Sequence, residues 1–184
     1  MTAPIFTQDN LLFIVTTPLG DNKLLFKSFQ GEEQLSQLFH FQLEMLSESK
    51  QLDFDAIVGH PLSLTVQFAP DHTRYFHGLV THFVQASTDA RFTVYHAQVR
   101  PWLYLLTLTK NCRIFQNLTV PEIIKKVFDD LGLTDYRFAL FYRYEPRVYC
   151  VQYEETAFNF VSRLMEDEGI FYFLNIMKIN TSWY

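Results

Sequence analysis

The side chains with the reach to do chemistry are six histidines, two cysteines, a helical serine and a group of carboxylates. The histidines are His40, His60, His72, His77, His82 and His96, and four of them fall between positions 60 and 82. A protein metal site needs converging ligands, and the common ones show short spacings such as H-E-x-x-H or paired Cys and His. None of those spacings occurs. On a regular strand His77 and His82 would also point to opposite faces, because side chains alternate. Polar or half-buried histidines without a metal are therefore expected. Cys112 and Cys150 sit near Arg113 and Arg147, and a guanidinium can lower a thiol pKa enough to make a nucleophile. Their spacing is neither a metal nor a redox motif, so two reduced thiols are expected. Ser162 lies in VSRLM on a helical pattern, without the G-x-S-x-G elbow that presents a serine nucleophile. Glu154, Glu155, Glu166, Asp167 and Glu168 could supply an acid/base pair. The first two flank a helix start, where negative charge is favourable, and the other three crowd its end, where the dipole disfavours them. That acidic end either meets a basic partner surface or is simply solvated, and solvation is the preferred reading. The glycines, at 20, 31, 59, 78, 132 and 169, form no phosphate loop. No catalytic, cofactor-binding or metal site is expected, and no enzyme activity.

The elements that would position these residues fall into two kinds. Positions 11–16 and 24–29 are strand-like. FHFQLEM puts Phe39, Phe41, Leu43 and Met45 on one side of a strand, and LSLTVQF does the same with Leu62, Leu64, Val66 and Phe68. Pro61 fits a strand start. RYFHGLVTHFVQAS and RFTVYHAQVRPWLYLL read as two long strands joined at Thr88-Asp89-Ala90, with Gly78 marking a bulge or bend. Strands in this density suggest an antiparallel barrel or near-barrel. After Pro101–Lys110 the pattern changes. Thr119-Val-Pro-Glu122 is a capping box, and Ile123, Ile124, Val127, Phe128 and Leu131 form an apolar stripe that Gly132 ends. A strand is expected over Val148–Tyr153. Thr156 then caps a second helix with Phe160, Val161, Leu164 and Met165 buried, Gly169 stops it, and IFYFL (Ile170–Leu174) reads as a further strand. The expected fold class is α+β and β-rich: a barrel-like part over 1–108, an α+β part over 109–173, and a tail over 174–184.

Composition bounds the partners. The 184 residues are 48% hydrophobic and 17% aromatic, with net charge −5, so a large core is affordable and nucleic acid is not an expected partner. MTAPIFTQDNLLFIVTTPLG lacks a basic start and is interrupted by Gln8, Asp9 and Asn10, unlike a signal peptide. No run of about 18 apolar residues suggests a membrane span.

Four phrases, in order, are FQLEMLSES, RYFHGLVTHF, VRPWLYLLTLTKNCRIFQNLTVPEIIKKVF and YCVQYEETAFNFVSRLMEDEGIFYF. Together they resemble the N-terminal region of VgrG proteins, the spike proteins of type VI secretion systems, from about Phe6 to Phe173. The resemblance implies a hub like that of contractile phage tails: barrel-like domains that form a homotrimer, sit on the tube of Hcp hexamers and carry a needle. Effectors or adaptors would ride with the spike. It implies no catalysis in this region and no stable membrane insertion. Assembly in the cytoplasm, with export of intact relatives through the type VI apparatus, follows from the same resemblance.

Two departures from the family pattern stand out. Ala157 replaces an acidic residue after the helix-capping Thr156, which should cost about 0.3–1 kcal/mol of first-turn charge stabilisation. After Phe173 the chain reads LNIMKINTSWY, where the family continues with an F-E-H-like run. Codons compatible with this tail, read one base out of phase, give F-E-H-x-E-D-K-H-K-L-V. A frameshifted or vector-derived tail over 174–184 is expected, leaving strand Ile170–Leu174 as an exposed apolar edge prone to self-association. Three other readings stay open: a contractile phage or phage-like tail hub, a barrel binding an apolar ligand, and a hydrolase using Cys112 or Ser162.

Overall fold

The computed structural model describes residues 6–69 and 71–176. The chain divides into two units, Met1–Trp102 with Phe173–Tyr184, and Leu103–Tyr172. The first is β-rich and the second α+β.

The first unit holds six strands: β1 (Phe13–Thr16), β2 (Leu25–Glu32), β3 (His40–Ser47), β4 (Pro61–Ala69), β5 (His72–Thr88) and β6 (Thr93–Arg100). They form one antiparallel sheet in the order β1-β4-β5-β6-β3-β2. Alternation dictates its faces. Phe41, Leu43 and Met45 of β3, Leu62, Leu64 and Val66 of β4, and Tyr95, Ala97 and Val99 of β6 are all buried. The sheet curls until its two edges meet through side chains: Phe13 of β1 stacks on Phe26 of β2 at 4.5 Å. Phe68 departs from the expected row and is 68% exposed. It sits at a register shift between Gln67 and Ala69, where a bulge breaks the alternation.

Gly78 is needed for space rather than for the bend expected there. A Cβ at Gly78 would overlap the Arg100 carbonyl oxygen and come within 2.9 Å of Val99 Cγ1. The register shifts of β5 against β6 lie further on, between Val80 and His82 and between Gln85 and Thr88. Gly78→Ala should therefore destabilise the chain by about 1–3 kcal/mol, the usual cost of overpacking, measured as a shift in the urea midpoint with unchanged slope. An unshifted midpoint would show that β5 and β6 can move apart freely.

The edge of β1 is closed by a side chain. Gln8, 5% exposed, donates from Nε2 to the Val15 carbonyl at 2.9 Å and accepts from the Val15 N–H at 2.7 Å through Oε1. Its amide thus stands where a further strand would bond. The Gln8 N–H donates to Asn22 Oδ1 at 2.8 Å, which holds the segment in place.

In the second unit, β7 (Lys110–Phe115) pairs with β8 (Cys150–Thr156), and α1 (Val120–Asp130) and α2 (Ala157–Asp167) accompany them. Trp102–Thr107 is a 3-10 helix, not the strand continuation expected through RPWLYLL. Pro101 cannot donate to a ladder, and Leu103 and Leu106, three apart, bury one face at the 3-10 period. The Thr119–Glu122 capping box is complete. Both helices end on left-handed glycines, Gly132 at φ +69° and Gly169 at φ +67°. Phe115 stacks on Phe160 at 5.5 Å, joining β7 to α2.

The described residues Ile170–Leu174 form no strand, correcting the expected edge strand. The Ile170 N–H is spent closing α2, donating to the Met165 carbonyl at 2.8 Å, and no described strand lies beside the segment. Phe171 and Phe173 are instead individually exposed. Leu174 and Ile176, the first residues of the expected tail, pack on the core of the first unit. Residues 177–184 of that tail lie outside the described residues.

Candidate interaction surface

The residues with chemical reach are dispersed. Ser162 Oγ is buried and has no hydrogen-bond partner, so no base is placed to take its proton. Cys112 is exposed and Cys150 buried, both as free thiols. Their arginines are engaged elsewhere: Arg113 donates to Gln152 and Asp130 at 3.0 Å each. Arg147 turns to the end of α2.

The histidines need one correction. The bulge between Val80 and His82 resets the alternation of β5, so the buried positions run Val80 then Phe83. His77 pairs with outward-facing Ser63, and His82 with outward-facing Gln98. The two therefore share the outer face, contrary to the opposite faces expected of a regular strand. Among the described residues no group of three or more His, Cys, Asp or Glu is arranged to hold a metal ion. His96 instead lies 3.6 Å from Glu44, whose other oxygen meets Lys27 at 3.0 Å. His77 shares a 2.7 Å hydrogen bond with Ser63 Oγ, and burial pushes its pKa down to about 4.

Two of the three carboxylates at the acidic end of α2, Asp167 and Glu168, meet a cation from within the chain. Arg147 reaches Glu168 at 2.8 Å and Asp167 at 3.4 Å. Those hydrogen bonds raise its already high pKa. The Arg147 backbone N–H also donates to the Leu118 carbonyl at 2.9 Å, so the residue ties the segment before β8 to the helix. Arg147→Ala should cost about 1 kcal/mol, more than one exposed ion pair because two carboxylates lose their partner at a helix C-terminus. Thermal unfolding measures it, and 0.5 M salt should shrink the difference. At the other end Glu155 pairs with Arg163 at 2.6 Å. Ala157 is only 2% exposed, so an acidic side chain there would be desolvated, offsetting the first-turn charge benefit expected from the sequence.

The interior of the first unit is filled. Tyr95, Phe41, Met45 and Leu64 are fully buried, and Phe41 and Phe76 each lie within 5.4 Å of Phe29 or of one another. Side chains occupy the space an apolar ligand would need.

What remains is surface. Eleven of the twenty large hydrophobic residues exposed among the described residues fall in Leu103–Tyr172, well under half the chain. The β7–β8 sheet explains part of this. Phe115, Cys150 and Gln152 face inward and are buried. Ile114, opposite Val151, and Tyr153 therefore face out, at 61% and 70% exposure for Ile114 and Tyr153. An antiparallel sheet normally shows water a polar face, so an apolar outer row is a candidate contact.

Comparison with known proteins identifies the family. The phage tail baseplate hub (GPD) family matches residues 32–177. The type VI secretion system spike protein VgrG1c of Pseudomonas aeruginosa is 47% identical over 174 residues, 95% of this chain and 24% of the relative. VgrG1b of the same organism is 47% identical over 165 residues, 90% of this chain and 22% of the relative. This chain thus spans about a quarter of the length of these curated relatives. Among solved structures, the E. coli c3393 protein is 27% identical with a TM-score of 0.77, over 85% of this chain and 44% of that one. It is described as a type VI secretion component structurally similar to the T4 bacteriophage tail proteins gp27 and gp5. No helix among the described residues is long and apolar enough to cross a membrane. A curled antiparallel sheet joined to a small α+β unit, matched over most of its length, places this chain in the phage tail baseplate hub family, beside the type VI secretion spike proteins.

Proposed function

We propose that the chain is a structural, non-catalytic part of the hub of a type VI secretion spike. In this reading the intact protein is a homotrimer that caps the Hcp tube and supports delivery of effectors or their adaptors. It assembles in the cytoplasm and leaves through the type VI apparatus. The observation that carries the reading is the family match over residues 32–177, joined to 47% identity with spike proteins. The side chains support it: Ser162 lacks a base, and the arginines beside Cys112 and Cys150 bind carboxylates and amides.

A chimera tests it. Residues 1–173 replace the corresponding region of the Pseudomonas aeruginosa VgrG1c relative. The chimera should sediment as a trimer, co-purify with Hcp and restore Hcp export in a strain lacking its own spike. A folded chimera that stays monomeric or fails to bind Hcp overturns the reading. A trimer that assembles without engaging Hcp favours the second reading, a contractile phage tail hub, which the family description also fits.

A further inference from the structure

We infer that the row Glu32–His40–Arg100, on the outer face of the first unit, is a binding site for a single carboxylate on a short alkyl stem. The strand register assembles it. Glu32 of β2 pairs with His40 of β3. Phe41 of β3 pairs with Val99 of β6, so the next residues along, His40 and Arg100, come side by side. Phe41 and Val99 are buried in the core, and alternation turns His40 and Arg100 to the other face. The segment between β2 and β3 supplies the rest of the wall. Gln34, Gln37 and Leu38 join the three side chains of the row around a recess of about 240 Å³. The Nε2 atom of His40 is buried and has no hydrogen-bond partner among the described residues. It stands between two charged side chains and bonds to neither. A buried ring nitrogen left unpaired is destabilising, and a ligand that pairs with it recovers that loss.

The groups around the recess select the ligand. Arg100 brings a guanidinium, whose planar fork suits a carboxylate. The Glu32 carboxylate accepts from Gln34 Nε2 at 2.5 Å, and its negative charge on the same row disfavours a dianion such as phosphate. Burial and the Arg100 charge lower the His40 pKa, with Glu32 opposing, so the imidazole is neutral at pH 7. In the tautomer that carries its proton on Nε2, the ring donates to an anion. Gln37 adds an amide donor, and half-buried Leu38 an apolar wall for methylene groups. The recess has room for a short-chain acid and not for a large ligand. Gln34 and Gln37 are exposed at its rim, so the carboxylate can come from a free small acid or from an Asp or Glu side chain of a polypeptide. The site lies wholly within the first unit and does not depend on the hub assembly proposed above.

Proton NMR of the histidine rings tests it, with sodium propionate titrated against sodium chloride at constant ionic strength. The His40 signal is identified by its loss in His40→Gln. With propionate bound, His40 should titrate about half a pH unit or more higher, because an adjacent anion favours the protonated ring. His82 and His96, outside the row, should not move. Arg100→Gln should weaken propionate binding about tenfold or more. Glu32→Gln, at an exposed position, removes a like charge and should tighten it about threefold. If Arg100→Gln does not fold, Glu32→Gln decides. A blocked Gly-Glu-Gly tripeptide separates the two sources: tighter binding than propionate assigns a polypeptide side chain, weaker binding a free acid, and either supports the site. An unmoved His40, an equal movement of His82 and His96, tighter binding of phosphate than of propionate, or unchanged affinity in either folded charge variant overturns the inference.

Discussion

Taking the protein from pH 7 to pH 4 should remove on the order of 1–2 kcal/mol of stability through His77, the full shift being discounted because solvent still screens this partly exposed ring. The imidazole, on β5, shares a hydrogen bond with Ser63 of the neighbouring β4, and burial pushes its pKa from the ordinary 6.5 down to about 4. The sign follows from proton uptake. Between those values the unfolded chain holds a proton at this residue and the folded chain does not. The neutral imidazole is therefore fully stabilising above pH 6.5, and its contribution falls away as pH drops towards 4. Below that, both states are protonated and the loss stops. His40 is shifted in the same direction by burial and by Arg100, with Glu32 opposing. Asp89, Glu122 and Asp129, held low by hydrogen bonds, lose their contribution only at lower pH. His77→Gln keeps a polar group for Ser63 and removes the titration. Urea unfolding at steps from pH 7.5 to 4 should show a steep slope in the parent chain and a much shallower one in this variant. Parallel slopes would mean that burial does not control this imidazole.

Gln8→Met should cost about 4 kcal/mol, since it keeps the side-chain volume but leaves two buried backbone groups unpaired at about 1–3 kcal/mol each. The Val15 N–H and carbonyl have no strand on that side, because β1 pairs only with β4. The amide of Gln8 is their partner. Asn22 supports it from its left-handed backbone at φ 58°. Denaturant unfolding gives the loss directly, and hydrogen exchange locates it: the Val15 amide should become fast-exchanging while the amides of β6 stay protected. A loss below about 1 kcal/mol would mean that water replaces the amide at little cost.

Several features of the molecule were legible in the residues because their causes are local. The Thr119–Glu122 box needs only four consecutive residues, and it forms as read. Gly132 and Gly169 close helices because only a left-handed residue lets the last carbonyls bond. The alternation in β3 and in the first part of β4 decided which side chains are buried. The likeness of four separated phrases to spike proteins was also a property of sequence, and the family match bears it out.

Other features depended on contacts between segments far apart. IFYFL has strand composition, yet strand formation needs a neighbour, and none of the described strands lies beside it. The acidic end of α2 looked unpaired because its cation, Arg147, comes from twenty residues upstream, before β8. His77 and His82 share a face only because pairing with β6 inserts a bulge between them.

The sequence by itself therefore determined the family, the helix ends and the strand faces, since each is written in a short window or in an ordered set of motifs. The tertiary structure decided the closed edge at Gln8, the burial of His77, the ion pairs of Arg147 at the acidic helix end and the apolar row on β7–β8. Those depend on which residue is opposite which, and long-range pairing leaves no local periodicity to read.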